Sequence, residues 1–312
     1  MSLYELFTSN GPSGFGYGST AERVTEGLSL AGRTMLVTGC NSGLGRETLR
    51  VLLLRGARVV GTARTVDKAR EACLAAGGGE AVPLACELSS PASVRECVAA
   101  VVAGGIRLDA IVCNAGIMAL PKRELAHGYE LQFFLNHIGH FILVTGLLEQ
   151  LTASGRVVML SSAAHTMAPK GGIELDNLDG SKRYSSWRAY GQSKFANLLF
   201  AKELARRFAG TERTANAVHP GVIVTNLGRH MNPAARAIMG AMMPLFLKSV
   251  PQGAATQVYA ATSPALATVS GKYFADCNIT PPRPDSEDPA TAKKLWEVSE
   301  EIAATVARSE AA

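Results

Sequence analysis

The sequence predicts an α/β fold in which a mostly parallel sheet carries helices on both faces, and three observations predict it. Short segments rich in Val and Ile alternate with longer stretches of helical period, the pattern left when each strand-to-strand connection crosses a face of the sheet. The first apolar segment runs straight into a glycine turn, "VTGCNSGLGRE" from Val37. The chain has 312 residues, 47% of them apolar, which suits one large domain of this class.

Seven strands are expected, and all fit one sheet. They are "TMLVTG" from Thr34, "ARVVGTA" from Ala57, "AVPLACE" from Ala81, "LDAIVCNAG" from Leu108, "GRVVMLSS" from Gly155, "TANAVHPG" from Thr214 and "GKYFA" from Gly271. Helices between them include "GLGRETLRVLLLRG" and "SSWRAYGQSKFANLLFAKELARRFAG". The stretch "TPPRPDSEDPAT" from Thr280 reads as a loop leading into a last helix, "AKKLWEVSEEIAATVA". Residues 1–30 read as an N-terminal extension whose Gly-rich first twenty residues are flexible, and residues 31–312 as a single catalytic domain.

Composition excludes several functions. A net charge of +5 with no basic stripe interleaved with aromatics gives no sign of nucleic acid or of an anionic membrane surface. The six cysteines stand apart, with no CxxC pair and no His at metal-ligand spacing, so they read as reduced, mostly buried thiols and no metal is expected. The start of the chain has no basic region followed by an apolar core, and no run of about 18 apolar residues occurs. A cytoplasmic protein is the default. The oligomeric state stays open, a homodimer included.

The glycine turn carries Gly39, Gly43 and Gly45 in the spacing G-x-x-x-G-x-G. A strand, a glycine turn and a helix aim backbone N–H groups at an anion, here a pyrophosphate. Taken alone, the turn reads equally as a plain strand-to-helix connection that uses Gly for positive φ. The second strand ends in Ala63 and Arg64. An acid there would hold the ribose 2′-OH of NAD, whereas an uncharged residue followed by Arg leaves room for a 2′-phosphate, so NADP(H) is expected. Arg46, just after the last turn glycine, adds charge nearby.

In "AYGQSKFAN", Tyr190 and Lys194 stand four residues apart on a predicted helix, one turn apart on the same face. An ammonium beside a phenol lowers the phenol's pKa, which would make Tyr190 a proton donor or acceptor near neutral pH. Such pairs are common on amphipathic helices, so the pair needs company. The strand "RVVMLSS" supplies Ser161 and Ser162 at its C-terminal end, where ligands bind in such sheets.

Together these stretches resemble the short-chain dehydrogenase/reductase family, from about Thr34 to Phe274. The matching motifs are "TGCNSGLG", "CNAG" from Cys113, "LNHIGHF" with Asn136, "SS" with Ser162, "YGQSK" and "HPGVIVTNL" from His219. Within the family the chain is most similar to the retinol-dehydrogenase-like branch, on "FLNHIGHFILVTGLL", "SSAAHT" and the tail from "GKYFADC" to "LWEVSEE". The resemblance implies a Rossmann-type doubly wound fold and a tetrad of Asn136, Ser162, Tyr190 and Lys194. Ser162 is chosen because the family's serine is the second of such a pair. Tyr190 would protonate the carbonyl oxygen, Lys194 would bind the nicotinamide ribose and pass protons, and Asn136 would hold a water.

For the cofactor the resemblance implies the turn residues Gly39, Asn41, Ser42, Gly43, Leu44, Gly45 and Arg46, then Arg64. It also implies Asn114, Ala115 and Gly116 after the fourth strand. Pro220 and Gly221 would shape the nicotinamide wall, with Val222 contacting its amide and Thr225 nearby. Where the family has Asp-Leu after the third strand, this chain has Glu87-Leu88, and Cys113 replaces the first Asn of the fourth-strand motif.

The expected activity is interconversion of a carbonyl and an alcohol on a small molecule. A catalytically idle NADP-binding sensor or scaffold and a reductase of conjugated double bonds are the alternatives. The Met-rich segment at about 226–250, with Met231, Met239, Met242, Met243, Leu245 and Phe246, reads either as a substrate cover, which would make the substrate lipophilic, or as ordinary core helices. Membrane-bound retinol dehydrogenases carry an N-terminal apolar anchor, and no such stretch is present here.

Overall fold

The computed structural model describes residues 8–223 and 247–311. Its centre is a sheet of β1 (Thr34–Thr38), β2 (Arg58–Ala63), β3 (Ala81–Ala85), β4 (Leu108–Cys113), β7 (Leu151–Leu160), β8 (Thr214–His219), β9 (Tyr273–Ala275) and β10 (Asn278–Ile279). A separate two-residue hairpin pairs β5 (Leu125–Ala126) with β6 (Tyr129–Glu130). The spatial order is β10-β9-β8-β7-β4-β1-β2-β3. From β1 the chain winds outward through β2 and β3, then crosses back to β4 and winds the other way. The strand order reverses between β1 and β4, and that is where an open sheet of this kind leaves a crevice at its C-terminal edge.

The helices are α1 (Gly43–Leu54), α2 (Val66–Ala76), α3 (Pro91–Ala103), α4 (Leu131–Phe133), α5 (Gly139–Gly146), α6 (Ser186–Arg207), α7 (Val250–Thr262) and α8 (Pro289–Ala311). A π-helical turn, Phe134–Ile138, joins α4 to α5. Strand residues alternate between the two faces with the period of a pleat. Leu36, Val60 and Ile111 enter one core with α3, α5, α6 and α8. Met35, Val37, Val59 and Val112 enter the other with α1, α2 and α7. Both faces are therefore dry, which is why the strands read as continuous apolar runs.

The sheet has eight strands where seven were expected. The seven expected strands are present, and all their pairings are parallel. The additional β10 runs antiparallel to β9, because Asp276 and Cys277 take φ of 50° and 63°, the consecutive left-handed residues of a tight hairpin. Cys is an unusual residue there, so no turn signal marked it.

For residues 8–20, the described part of the stretch expected to be flexible, that expectation is also corrected. The Asn278 side chain binds Ser13 N (3.0 Å) and Phe15 O (2.9 Å), and Phe15 meets the Tyr259 ring edge-on at 5.6 Å. Ala21, Val24 and Leu30 are buried. The segment packs along α7, with Ala21 N donating to Pro251 O and Phe15 on Tyr259, and that burial offsets the ordering entropy the glycines add. All six cysteines are free, five of them buried and Cys73 half-buried.

Two histidines on the π turn and α5 make stability depend on pH. His137 and His140 are fully buried, and burial pushes them down to about 3 and about 4 from the ordinary 6.5. Both are neutral in the folded chain and take up protons only when it unfolds. Stability is therefore complete above pH 6.5 and falls as pH drops below it, by about 3 kcal/mol per pH unit for the pair. Urea unfolding at pH 7.5, 6.5 and 5.5 should show a flat upper interval and a steep loss in the lower one. An equal unfolding free energy at 6.5 and 5.5 would contradict this account.

Candidate active site

The glycine turn stands at the C-terminal end of β1, at the edge of the crevice. Gly39 and Gly43 have φ of 69° and 52°, a region that side chains with a Cβ rarely enter. Gly45 is restricted by space instead. A Cβ there would run into the Gly39 carbonyl oxygen and lie 2.5 Å from Asn114 Nδ2. Ser42 caps α1 in an extended conformation without a side-chain capping bond, so the helix start is left to other acceptors.

The end of β4 is sewn to the same turn. Thr38 Oγ1 accepts from Asn114 N (2.9 Å) and Ala115 N (3.0 Å). In return Asn114 Nδ2 donates to Thr38 O at 2.8 Å, and Gln257 Nε2 donates to Asn114 Oδ1 at 3.1 Å. Thr38 and Gln257 were missed in the sequence. The threonine just before the turn was the available signal for the first, and the second lies far along the chain.

A cavity of about 190 Å³ fills the crevice. One end is formed by Gly39, Asn41, Ser42, Gly43 and Leu44 from the turn, with Ala63 and Arg64 after β2 and Glu87 and Leu88 after β3. The middle is formed by Asn114, Ala115 and Gly116, and the far end by Tyr190, Lys194 and Pro220. Cys86, Ile117, Leu135 and Leu160, none of them expected as binding residues, also line it, as does Ser161, the strand-end serine set aside in favour of Ser162.

Gly45, Arg46, Asn136, Ser162, Gly221 and Val222 stand outside the lining. Gly45 lies behind the turn. Gly221 has φ 92°, and a Cβ on it would meet Lys248 Cδ at 2.6 Å. Val222 is exposed, and its carbonyl accepts from Lys248 N at 3.0 Å. Lys248 in turn pairs with Asp276. Thr225 and the Met-rich segment up to Phe246 lie outside the described residues.

At the far end, α6 presents Tyr190 and Lys194 one turn apart, both buried. Lys194 Nζ donates to Leu160 O at 3.0 Å and lies 5.7 Å from the centre of the Tyr190 ring. Burial pushes Lys194 down to about 8. Burial also pushes Tyr190 up to about 12, opposed by its hydrogen bond with the Ser162 hydroxyl. This reverses the lowered phenol pKa expected from the spacing of the pair. Desolvation sets the direction, so the phenol keeps its proton in the protein alone.

The two serines have separate uses. Ser161 Oγ donates to Lys194 O at 2.8 Å and locks the strand to α6, while Ser162 reaches the Tyr190 hydroxyl. Asn136 is fully buried. Its side chain clamps Ile117 from both sides, accepting from its N (2.9 Å) and donating to its O (3.0 Å), and it also donates to Ser193 Oγ (2.9 Å). A Cβ on Gly116 would lie 2.9 Å from Asn136 Oδ1 and 3.4 Å from Lys194 Nζ, so these three residues converge. Glu87 turns toward its own loop, accepting from Ser89 N and Oγ, with Arg64 3.9 Å from its other oxygen. No described helix is long and apolar enough to cross a membrane.

Known proteins are similar to this chain. A family profile described as short chain dehydrogenase matches residues 33–236. The chain is 42% identical to the short-chain dehydrogenase TIC 32 A, chloroplastic, of Brassica napus, over 96% of this chain and 98% of that protein. It is 38% identical to human retinol dehydrogenase 14, over 87% of this chain and 86% of the relative. Among solved structures, a putative uncharacterized protein from Mycobacterium paratuberculosis superposes with a TM-score of 0.72 at 34% identity, over 90% of this chain and 96% of that one. With the glycine turn, the reversed strand order and the Tyr190–Lys194 helix in one crevice, these likenesses show that the chain belongs to the short chain dehydrogenase family of oxidoreductases, in its retinol-dehydrogenase-like branch.

Proposed function

We propose that the protein is an NADP(H)-dependent oxidoreductase that interconverts a carbonyl and an alcohol on a lipophilic small molecule, with Tyr190 as the acid. The observation that carries this reading is a buried, protonated phenol, bonded to Ser162, in the wall of a cavity whose other end is a glycine cradle beside an arginine. The residues fit the dinucleotide, since Gly39 and Gly43, both at positive φ, line the end of the cavity at the start of α1, where backbone N–H groups would meet a pyrophosphate. When bound, the reduced dinucleotide supplies the hydride.

The protein's own groups do the rest. Ser162 orients the substrate's carbonyl oxygen toward Tyr190, whose hydroxyl gives up its proton as charge develops there. Lys194, held by Leu160 O, would bind the nicotinamide ribose and return a proton to the phenol. The Asn136 side chain is spent on Ile117 and Ser193, so its backbone carbonyl is the group that would hold a relay water. Gly221 and Val222 would close the nicotinamide side. An exposed Trp187 meets the Tyr190 ring edge-on at 6.2 Å, and exposed Met167 and Val222 add apolar surface, which supports a lipophilic substrate.

The test is a panel of aliphatic aldehydes, aryl ketones, enones and alcohols, followed by NADPH absorbance. Turnover of aldehydes or ketones supports the proposal. Turnover of enones alone would make the protein a double-bond reductase, and tight NADPH binding with no turnover would make it a sensor or scaffold.

Cofactor choice gives a separate expectation. Ala63 is buried and uncharged, and Arg64 follows it in the wall. Arg64→Ala should remove about 1 to 2 kcal/mol of the preference for NADPH over NADH. The figure is at the low end for a charged contact because the Arg64 side chain is 56% exposed and leans toward Glu87. Titrating both cofactors by fluorescence into both proteins checks it, and equal affinities in the unmodified protein would refute it.

A further inference from the structure

We propose that His140 is a positioning residue that ties the proton-transfer end of the cavity to its glycine-turn end. This rests on the reading of Asn136, Tyr190 and Lys194 as the proton-transfer machinery, and it concerns a residue that the reading leaves without a task.

The hydrogen bonds around His140 fix which atom carries each proton. His140 Nδ1 lies 2.9 Å from Asn136 O, four residues earlier. A carbonyl only accepts, so Nδ1 carries the hydrogen. Burial keeps the imidazole neutral, which leaves Nε2 with a lone pair and no proton. Thr38 Oγ1, 2.9 Å from Nε2, must then be the donor. The two N–H groups that reach Thr38 Oγ1, from Asn114 and Ala115, need acceptors, and the hydroxyl oxygen has two lone pairs for them. Every role in the chain is thus determined. Its alternative acceptor, Val112 O, is 3.5 Å away, at the limit of a useful bond.

The chain runs from the residues that line the middle of the cavity, through Thr38 and His140, to the backbone of Asn136. It continues through the Asn136 side chain to Ser193 Oγ, which donates to Tyr190 O at 2.7 Å. One directed network therefore joins the turn that would hold the dinucleotide to the helix that carries the phenol. By using one lone pair of the Asn136 carbonyl, His140 fixes the direction in which the other faces. An apolar side chain of similar size would fill the space but leave the Thr38 hydroxyl hydrogen no acceptor nearer than Val112 O at 3.5 Å and take the Nδ1 donor away from the Asn136 carbonyl.

Asparagine and glutamine separate the two ends. Asn puts a donor where Nδ1 stands, and Gln puts an acceptor where Nε2 stands. His140→Gln should keep the NADPH dissociation constant within about twofold and lower kcat about five- to tenfold, the scale of one lost buried hydrogen bond. His140→Asn should do the reverse, raising the NADPH dissociation constant about five- to tenfold with kcat changed less than twofold. His140→Leu should lose both. The readouts are NADPH fluorescence titration and turnover of the best aldehyde or ketone in the panel.

If both properties fall together in both polar variants, folding failure included, or if neither falls in either, His140 only fills the core and the inference is overturned. Tyr190→Phe, assayed alongside, tells the two failures apart. Retained turnover in Tyr190→Phe removes the reading of the site, and this inference with it. An inactive Tyr190→Phe beside Asn and Gln variants that do not separate removes the inference alone.

Discussion

Tyr190→Phe is expected to lower kcat for carbonyl reduction by a factor on the order of 10² to 10⁴, the worth of a positioned proton donor, and to leave NADPH affinity nearly unchanged. The substitution removes one oxygen from a ring that is 7% exposed and keeps its packing against Trp187. The hydroxyl bonds Ser162, so the variant also leaves that serine short of one partner, a loss of about 1 kcal/mol in stability at most. Such a loss is too small to be mistaken for the catalytic effect. Lys194→Ala should behave differently. It deletes a buried ammonium that holds Leu160 O and that, in the proposed function, would bind the nicotinamide ribose, so NADPH affinity and kcat should fall together. Steady-state kinetics with fluorescence titration of NADPH separates the two patterns. A Tyr190→Phe protein with near-normal turnover would remove the mechanism while leaving the family intact.

The parts of the fold written in local sequence were legible, and those made by distant contacts were not. The Val- and Ile-rich runs ended at glycines or polar clusters, so the seven parallel strands could be read to within a few residues. Strand β10 depends on a hairpin with Cys277 in a left-handed conformation, which no turn preference marks. The N-terminal glycines read as flexible because their anchor, Asn278, lies 263 positions from Phe15.

At the candidate site, the turn glycines, Arg64, Tyr190 and Lys194 were legible from spacing, and all but Gly45 line the cavity. The direction of the Tyr190 pKa was not. Spacing reveals a neighbouring charge, whereas the depth of burial that sets the direction is a property of the whole fold. His140 was visible only as part of a motif, since its partner Thr38 stands 102 residues away. Glu87 shows the converse case. Its place after β3 was legible, but its bonds to Ser89 were not part of the expectation.

Gly45→Ala should impair cofactor binding and folding together, for a reason that concerns space and not conformational freedom. Gly45 lies in the first turn of α1, where alanine would ordinarily stabilise a helix by about 1 kcal/mol relative to glycine. Here the added methyl would strike the Gly39 carbonyl oxygen and lie 2.5 Å from Asn114 Nδ2 and 2.8 Å from the Gly39 carbonyl carbon. Two of these atoms are backbone of the turn itself, and the third is held by bonds to Thr38 O and Gln257. None can swing aside as a long side chain would. Relief requires the turn to open or α1 to shift, at about 1–3 kcal/mol, which exceeds the gain in helix propensity at the upper end of that range. Opening the turn also displaces the backbone N–H groups at the end of the cavity, so the NADPH dissociation constant should rise about tenfold or more, the effect of losing one or more charge-assisted hydrogen bonds. Gly105→Ala is the control. Gly105 also has a positive φ, 58°, but nothing lies within 4 Å of its Cβ position, and it precedes β4 at the opposite edge of the sheet. It should cost about 1 kcal/mol in stability through backbone strain with no change in NADPH affinity. If Gly45→Ala bound NADPH as tightly as Gly105→Ala, the close approach at Gly45 would serve only the packing of α1 against the sheet, and the turn would have to hold its anion by some other route.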